Sequence, residues 1–321
     1  MSLNNIKGQA QAIKLLKQSL AHSTIAGAYL FIGQEGVGKY LAAVNFAKAI
    51  NCLEETEDAC DGCISCVKIG KKQHPDVHFI EPQDSGAIKI EHIRDLKKEI
   101  AYRPYEAKKK VFVINDAHNL TAEASNALLK TLEEPAGDSV IILITAKPTL
   151  LFKTIISRCQ IIKFHPMARN ELEEMLSAEY HLERLGAHFL AYFSEGRLGR
   201  ALKMKESEIL RDKNRVIDEF IFLRKSSSFE GLTLEKKEDI RDCLNILTSW
   251  FRDIYLTKAG LAHSEIINLD RKEELLKLMT HYSWLDLDVA LDTISDSFSY
   301  LEHNINIKLL LSNLKVQICH G

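Results

Sequence analysis

Apolar positions in the first half of the chain alternate between a helical and an extended pattern. Ile6, Ala10, Ile13, Leu16 and Leu20 recur at helical spacing and predict a helix over 6–20. Ala28-Tyr29-Leu30-Phe31-Ile32 is a short continuous apolar run that leads into a glycine-rich turn, which predicts a buried strand. A helix over 39–50 follows, and three more strand-like runs cover Val77 to Ile80, Val111 to Ile114 and Val140 to Thr145. Between the last two, Ala122 to Glu133 reads as a helix: Thr121 is placed to cap it, Glu123 suits the positive end of its dipole, and Pro135 ends it. Alternating strands and helices predict a parallel sheet covered by helices on both faces.

After Pro166 the strand signals fade. Asn170 to Leu185, His188 to Phe193 and Arg200 to Leu210 read as short helices. The remainder, to Cys319, is amphipathic helix broken near Ser226-Ser227-Ser228 and near Gly260. The expected fold class is an α/β domain over 1–165, a small all-α domain over 166–208 and a larger all-α domain over 209–321.

Composition agrees with this picture. A length of 321 residues suits two or three domains, and 46% apolar with 27% charged residues is ordinary for a soluble globular chain. No apolar run approaches the roughly 20 residues that span a bilayer. Met1 to Gln11 lacks the layout of a signal peptide, so a cytoplasmic protein without membrane contact is expected. A net charge of −2 argues against a dedicated nucleic-acid binder coated in positive charge. Lys71-Lys72, Lys97-Lys98 and Lys108-Lys109-Lys110 are local clusters, each of which alone reads as solvated surface. Contact with DNA would use a local patch or a larger assembly.

The glycine-rich turn Gly33-Gln34-Glu35-Gly36-Val37-Gly38-Lys39-Tyr40 lies between a predicted strand and a predicted helix, the context of a phosphate-binding loop. In such a loop Gly33, Gly36 and Gly38 let backbone N–H groups curl toward phosphate oxygens, and Lys39 reaches the terminal phosphates. The following position calls for a Ser or Thr hydroxyl on magnesium, but Tyr40 carries its hydroxyl at the far end of a ring. A second magnesium position is expected after Val111-Phe112-Val113-Ile114. Neutral Asn115 stands there, with Asp116 in place of a water-activating glutamate. Losing both contacts removes charge neutralisation from phosphoryl transfer, so ATP or ADP is expected to bind weakly or not at all, with little hydrolysis.

Cys52, Cys60, Cys63 and Cys66 form a C-x7-C-x2-C-x2-C array with a turn at Asp61-Gly62. Clustered cytosolic thiols at this spacing read as a tetrahedral zinc site, and four thiolates leave no open position, so the zinc is expected to be structural. An iron–sulfur cluster and incidental thiols are the alternatives. Cys159, Cys243 and Cys319 stand apart as ordinary buried thiols.

Three blocks resemble the bacterial DNA polymerase III clamp-loader subunits of the AAA+ family. They are Ala28 to Phe31 running through the phosphate loop into the cysteines; Asn126-Ala127-Leu128-Leu129-Lys130-Thr131-Leu132-Glu133-Glu134-Pro135; and Ser157-Arg158-Cys159. His74-Pro75-Asp76 is similar to the family as well. The resemblance implies an AAA+ core, a helical lid and a helical collar that joins five subunits, gamma/tau and delta among them, into a ring. That ring would place a sliding clamp on primed DNA. It also implies that Thr145 matches a polar sensor position and that Arg158 reaches a neighbour's ATP as an arginine finger. The ATP-hydrolysing motors carry a sensor arginine where this chain has Gly199 within Gly196-Arg197-Leu198-Gly199-Arg200-Ala201, although Arg197 or Arg200 could substitute. The chain thus sides with a non-hydrolysing branch; a working gamma/tau-like ATPase is the alternative.

Overall fold

Five short runs form one parallel sheet in a computed structural model of the chain: β1 (Ala28–Ile32), β2 (Val77–Ile80), β3 (Lys110–Ile114), β4 (Ser139–Thr145) and β5 (Gln160–Lys163), in the order β2-β3-β4-β1-β5. The structure describes residues 2–54, 58–83, 86–133, 138–207, 209–223, 237–261, 266–303 and 306–318. Two compact units emerge: residues 1–168 with 196–200, and residues 169–195 with 201–321.

In the first unit, strand alternation divides the apolar side chains between two cores. Tyr29, Phe31, Val111, Val113, Ile142 and Ile144 face one side and pack with Leu16 of α1 (Ala10–Ala21) and Phe46 of α2 (Lys39–Ile50). Leu30, Phe112, Ile114, Ile141 and Leu143 face the other. They meet Leu96 of α4 (Ile90–Ile100), Leu128 of α5 (Ala122–Glu133) and Ile155 of α6 (Lys153–Ile156). The expected α/β class is the one observed. Helix α2 occupies its predicted span, and α5 is capped as expected, the Ala124 N–H donating to Thr121 Oγ1 at 3.2 Å.

Four elements of this unit were not legible as such: α3 (Ile64–Gly70), α4, α6 and β5. β5 is an edge strand whose side chains are mostly exposed, so its polar ends hide the apolar pair Ile161-Ile162. The first helix starts at Ala10 rather than Ile6, because Gly8 turns the backbone to φ +68°. Ahead of it the Leu3–Asn5 turn is tied down by Asp58, which accepts from the Leu3 and Asn4 N–H groups at 2.9 and 3.0 Å.

His74-Pro75-Asp76 proves to be an anchor. Asp76 is buried, and its carboxylate accepts from the backbone N–H groups of Tyr105, Glu106 and Ala107 at 2.8–3.0 Å. The Asp76 N–H in turn donates to His74 Nδ1 at 3.1 Å. Burial alone would raise the Asp76 pKa, but the three N–H donors outweigh it and hold the carboxyl below its usual range.

The second unit is helical: α7 (Arg169–Ala178), α8 (Arg184–Phe193), the remainder of α9 (Leu198–Glu206), α10 (Ile209–Ile217), α11 (Lys237–Lys258), α12 (Lys272–Leu278), α13 (Trp284–Glu302) and α14 (Ile307–Ile318). The helix expected over 170–185 stops at Ala178, with His181 at φ +54° before α8 begins. Buried Leu247, Trp250, Phe251 and Ile254 of α11 form the centre of this unit. Gly260, at φ +74°, lets Leu261 N–H return to the Leu256 carbonyl and closes the segment where a break was expected. Glu134, Pro135, Ser226 to Ser228 and Cys319 lie outside the described residues. Among the described residues no helix is long and apolar enough to cross a membrane.

Candidate functional site

The phosphate-loop residues assemble at the C-terminal ends of β1 and β4. Gly33 N–H donates to the Thr145 carbonyl at 3.3 Å, and Gly36 and Gly38 take φ values of +81° and +96° that favour glycine. Lys39 heads α2 and is 7% exposed. Its ammonium donates to the carbonyls of Gly33 and Gln34 at 2.6 and 2.7 Å, so two of its three donors close back on the loop itself. Burial pulls its pKa down, against the opposing pull of Asp116 and Glu35.

Tyr40 is a packing residue. Its ring lies 6.2 Å from that of Phe79 on β2, with the Lys72 ammonium 5.1 Å from the ring centroid, and its hydroxyl is buried. Asn115 uses its N–H on the Ile80 carbonyl and its Nδ2 on Asp116 Oδ2 at 3.2 Å. Thr145 is fully buried; its hydroxyl pairs with His118 Nδ1 at 3.2 Å and accepts from the Lys147 N–H at 3.0 Å. The His118 contact had no signal in the sequence beyond the residue's place four positions after β3.

Gly199 sits directly on the loop. Its N–H donates to the Gly36 carbonyl at 2.8 Å, and a Cβ at this position would lie 2.9 Å from that oxygen and 3.1 Å from Gly36 Cα. The Cβ atoms of Arg197 and Arg200 flank the same glycine, each 3.6 Å from where a Gly36 Cβ would stand.

Arg158 lies in the turn after α6, apart from the loop in sequence and in its contacts. Nη1 donates to the Thr154 carbonyl and Nη2 to Glu133 Oε1, both at 2.8 Å. Glu133 is the last residue of α5 and carried no assigned role in the sequence. Burial pushes the neighbouring Cys159 thiol up to about 12, which keeps it protonated and inert at neutral pH.

The four cysteines converge. Cys52 follows α2, Cys60 and Cys63 precede α3, and Cys66 lies within α3, with all four sulfur atoms within 4.8 Å of one another. Zinc–thiolate bonds of about 2.3 Å imply sulfur–sulfur edges of roughly 3.8 Å, so a small contraction fits the ion. The Cys63 N–H donates to Cys60 Sγ at 3.3 Å and the Cys66 N–H to Cys63 Sγ at 3.5 Å. Asp61 makes the turn at φ +58° and pairs with Lys48 at 2.8 Å. Although burial raises the Cys63 pKa, N–H donors and neighbouring thiols bring it down to about 7.

Each basic cluster has a lysine in an ion pair: Lys72 with Glu81 at 3.1 Å, Lys98 with Asp95 at 3.0 Å, and buried Lys110 with Glu99 at 3.3 Å.

Two family models match the chain: "DNA polymerase III, delta subunit" over residues 8–168, and its C-terminal counterpart over 207–318. DNA polymerase III subunit delta′ of Bacillus subtilis is 30% identical over 98% of this chain and 97% of its own length. Subunit tau of Escherichia coli is 36% identical over 64% of this chain, which spans 32% of that longer protein. Among solved structures, a DNA polymerase III gamma-subunit-related protein of Thermotoga maritima aligns with 95% of this chain and 98% of its own at 19% identity and a TM-score of 0.48.

Proposed function

This chain belongs to the DNA polymerase III delta′ subunit family, and from that premise we propose a division of labour: the chain hydrolyses little or no ATP itself and supplies Arg158 to the ATP of a neighbouring subunit. The setting is the clamp loader, a hetero-pentameric ring with gamma/tau and delta that opens the sliding clamp and places it on primed DNA in the cytoplasm. The core over 1–165, lid over 166–208 and collar over 209–321 belong to the same reading.

The observation that carries the first half is the state of the phosphate loop. Lys39 is satisfied by the loop's own carbonyls, Tyr40 is packed against Phe79, and Asn115 is bonded to Asp116. Gly33, Gly36, Gly38 and Thr145 keep the loop's shape, which suits a static or vestigial nucleotide site better than a catalytic one. An arginine that stabilises charge on a transferring phosphoryl group needs no metal ligands in its own subunit, and its effect on rate is about 10³–10⁵.

Zinc fits the four cysteines. Cys52, Cys60, Cys63 and Cys66 would hold it as thiolates and link the end of α2 to α3, a structural role with no step in hydrolysis.

Incubating the isolated chain with magnesium and ATP tests the loss of hydrolysis. The expected result is no turnover above background; turnover at ordinary ATPase rates that Lys39→Ala abolishes would instead support a gamma/tau-like motor. The role of Arg158 is tested separately, by Arg158→Ala in the reconstituted complex.

A further inference from the structure

The candidate finger does not hang free in solvent. The end of α5 and the carbonyl of Thr154 in α6 grip its guanidinium from two different elements. We infer that Glu133 is a positioning residue for Arg158, an inference that rests on the trans role proposed above.

A guanidinium is planar and carries five N–H donors in a fixed fork. One anchor would leave it free to swing about a single bond. Two anchors at 2.8 Å, one on Nη1 and the other on Nη2, fix both where the group sits and how its plane is turned. Among the described residues these two contacts use two donors, and three remain to meet an acceptor outside the chain. A phosphate oxygen is an acceptor of matching charge and geometry.

The exposure of the pair argues against a purely stabilising role. The side chains of Arg158 and Glu133 are 34% and 49% exposed, a setting in which ion pairs contribute little to folding. What the contact does provide is direction. A long side chain has many rotamers, and one already aimed loses less freedom when the phosphate arrives. The carboxylate holds Nη2 and keeps the guanidinium from wandering along its own surface. Glu133 therefore acts through Arg158 rather than on the nucleotide.

The test uses the complete reconstituted clamp loader with primed DNA and reads the ATPase of the one site this subunit faces, isolated with hydrolysis-deficient neighbours; the compared variants are confined to this subunit. Glu133→Ala is expected to lower kcat about three- to tenfold, with KM for ATP within about twofold, as misorientation of a group that acts in the transition state should. Glu133→Gln keeps the chain length and an acceptor oxygen, so it should recover most of that loss. In an Arg158→Ala background, Glu133→Ala should have no further effect, because there is no finger left to aim. An unchanged kcat in Glu133→Ala would overturn the inference, as would a rise in kcat, the sign of a restraint. A further loss on top of Arg158→Ala would also overturn it, as the sign of a structural role. If Arg158→Ala itself leaves the ATPase unchanged, the trans role fails and the inference fails with it. If only Arg158→Ala has an effect, the trans role stands and Glu133 is no more than a surface partner. Incorporation of each variant into the complex, with an unaltered melting temperature, establishes that it is folded.

Discussion

The backbone N–H of Gly199 donates to the carbonyl oxygen of Gly36 at 2.8 Å, so a segment more than 160 residues downstream closes on the phosphate loop by main-chain contact alone. A side chain at 199 has no room to do this, since its Cβ would meet the oxygen and Cα of Gly36 at 2.9 and 3.1 Å. Those are backbone atoms of a loop held by its own hydrogen bonds, and they do not yield as the tip of a flexible side chain would. Gly199→Ala gains up to about 1 kcal/mol of helix propensity near the start of α9. Overpacking opposes that gain by about 1–3 kcal/mol. Net destabilisation is expected, read as a lower urea midpoint; an unchanged or higher midpoint would show that the loop yields freely. If hydrolysis is lost as proposed, Gly199→Arg should not restore it in a magnesium–ATP turnover assay, since Tyr40 and Asn115 stand where Ser or Thr and Asp would hold magnesium.

Asp76 makes acid sensitivity a local matter. Its three backbone donors favour the carboxylate, so its pKa lies below the unfolded value of about 3.9. A group whose folded pKa is depressed adds stability above the unfolded pKa and loses it as pH falls through the folded one. Asp76→Ala is expected to lose about 2–4 kcal/mol at pH 7, since three N–H groups are left without a charged acceptor. The gap between wild type and variant should narrow as pH falls from about 5 toward 3. Urea unfolding at several pH values measures it, and a gap independent of pH would contradict this account of Asp76.

For the cysteine cluster, the purified chain is expected to carry one zinc, released on titration with a thiol-reactive mercurial. Removal of the ion, or Cys63→Ser, should lower the melting temperature and expose the segment between Cys52 and Cys66 to protease before the rest of the first unit. A metal-free chain with the same melting temperature would reduce the cluster to incidental thiols, and iron in place of zinc would favour the cluster alternative.

Much of this was legible because local pattern and tertiary role agreed. The strands β1, β3 and β4 are apolar on both faces and run between helices, so Phe31, Val113 and Ile142 declare their burial in the sequence. The cysteine spacing likewise brings the four sulfur atoms together within one short segment and the end of one helix. What sequence left hidden depends on distant partners. β5 is an exposed edge that exists only by pairing with β1. Asp76 is buried because backbone groups 29–31 residues on need an acceptor. Glu133 looks like the end of a helix until Arg158, 25 residues later, is found against it.

In the proposed division of labour this subunit's catalytic contribution is Arg158, acting outside its own chain. The direct measurement is the primed-DNA-stimulated ATPase of the reconstituted clamp loader with Arg158→Ala in this subunit alone. Hydrolysis at the one site this subunit faces is expected to slow by at least about tenfold when that site is isolated with hydrolysis-deficient neighbours. Nucleotide affinity and ring assembly should be nearly unchanged. An ATPase rate equal to wild type at that site would contradict it, and the chain would then be a scaffold alone.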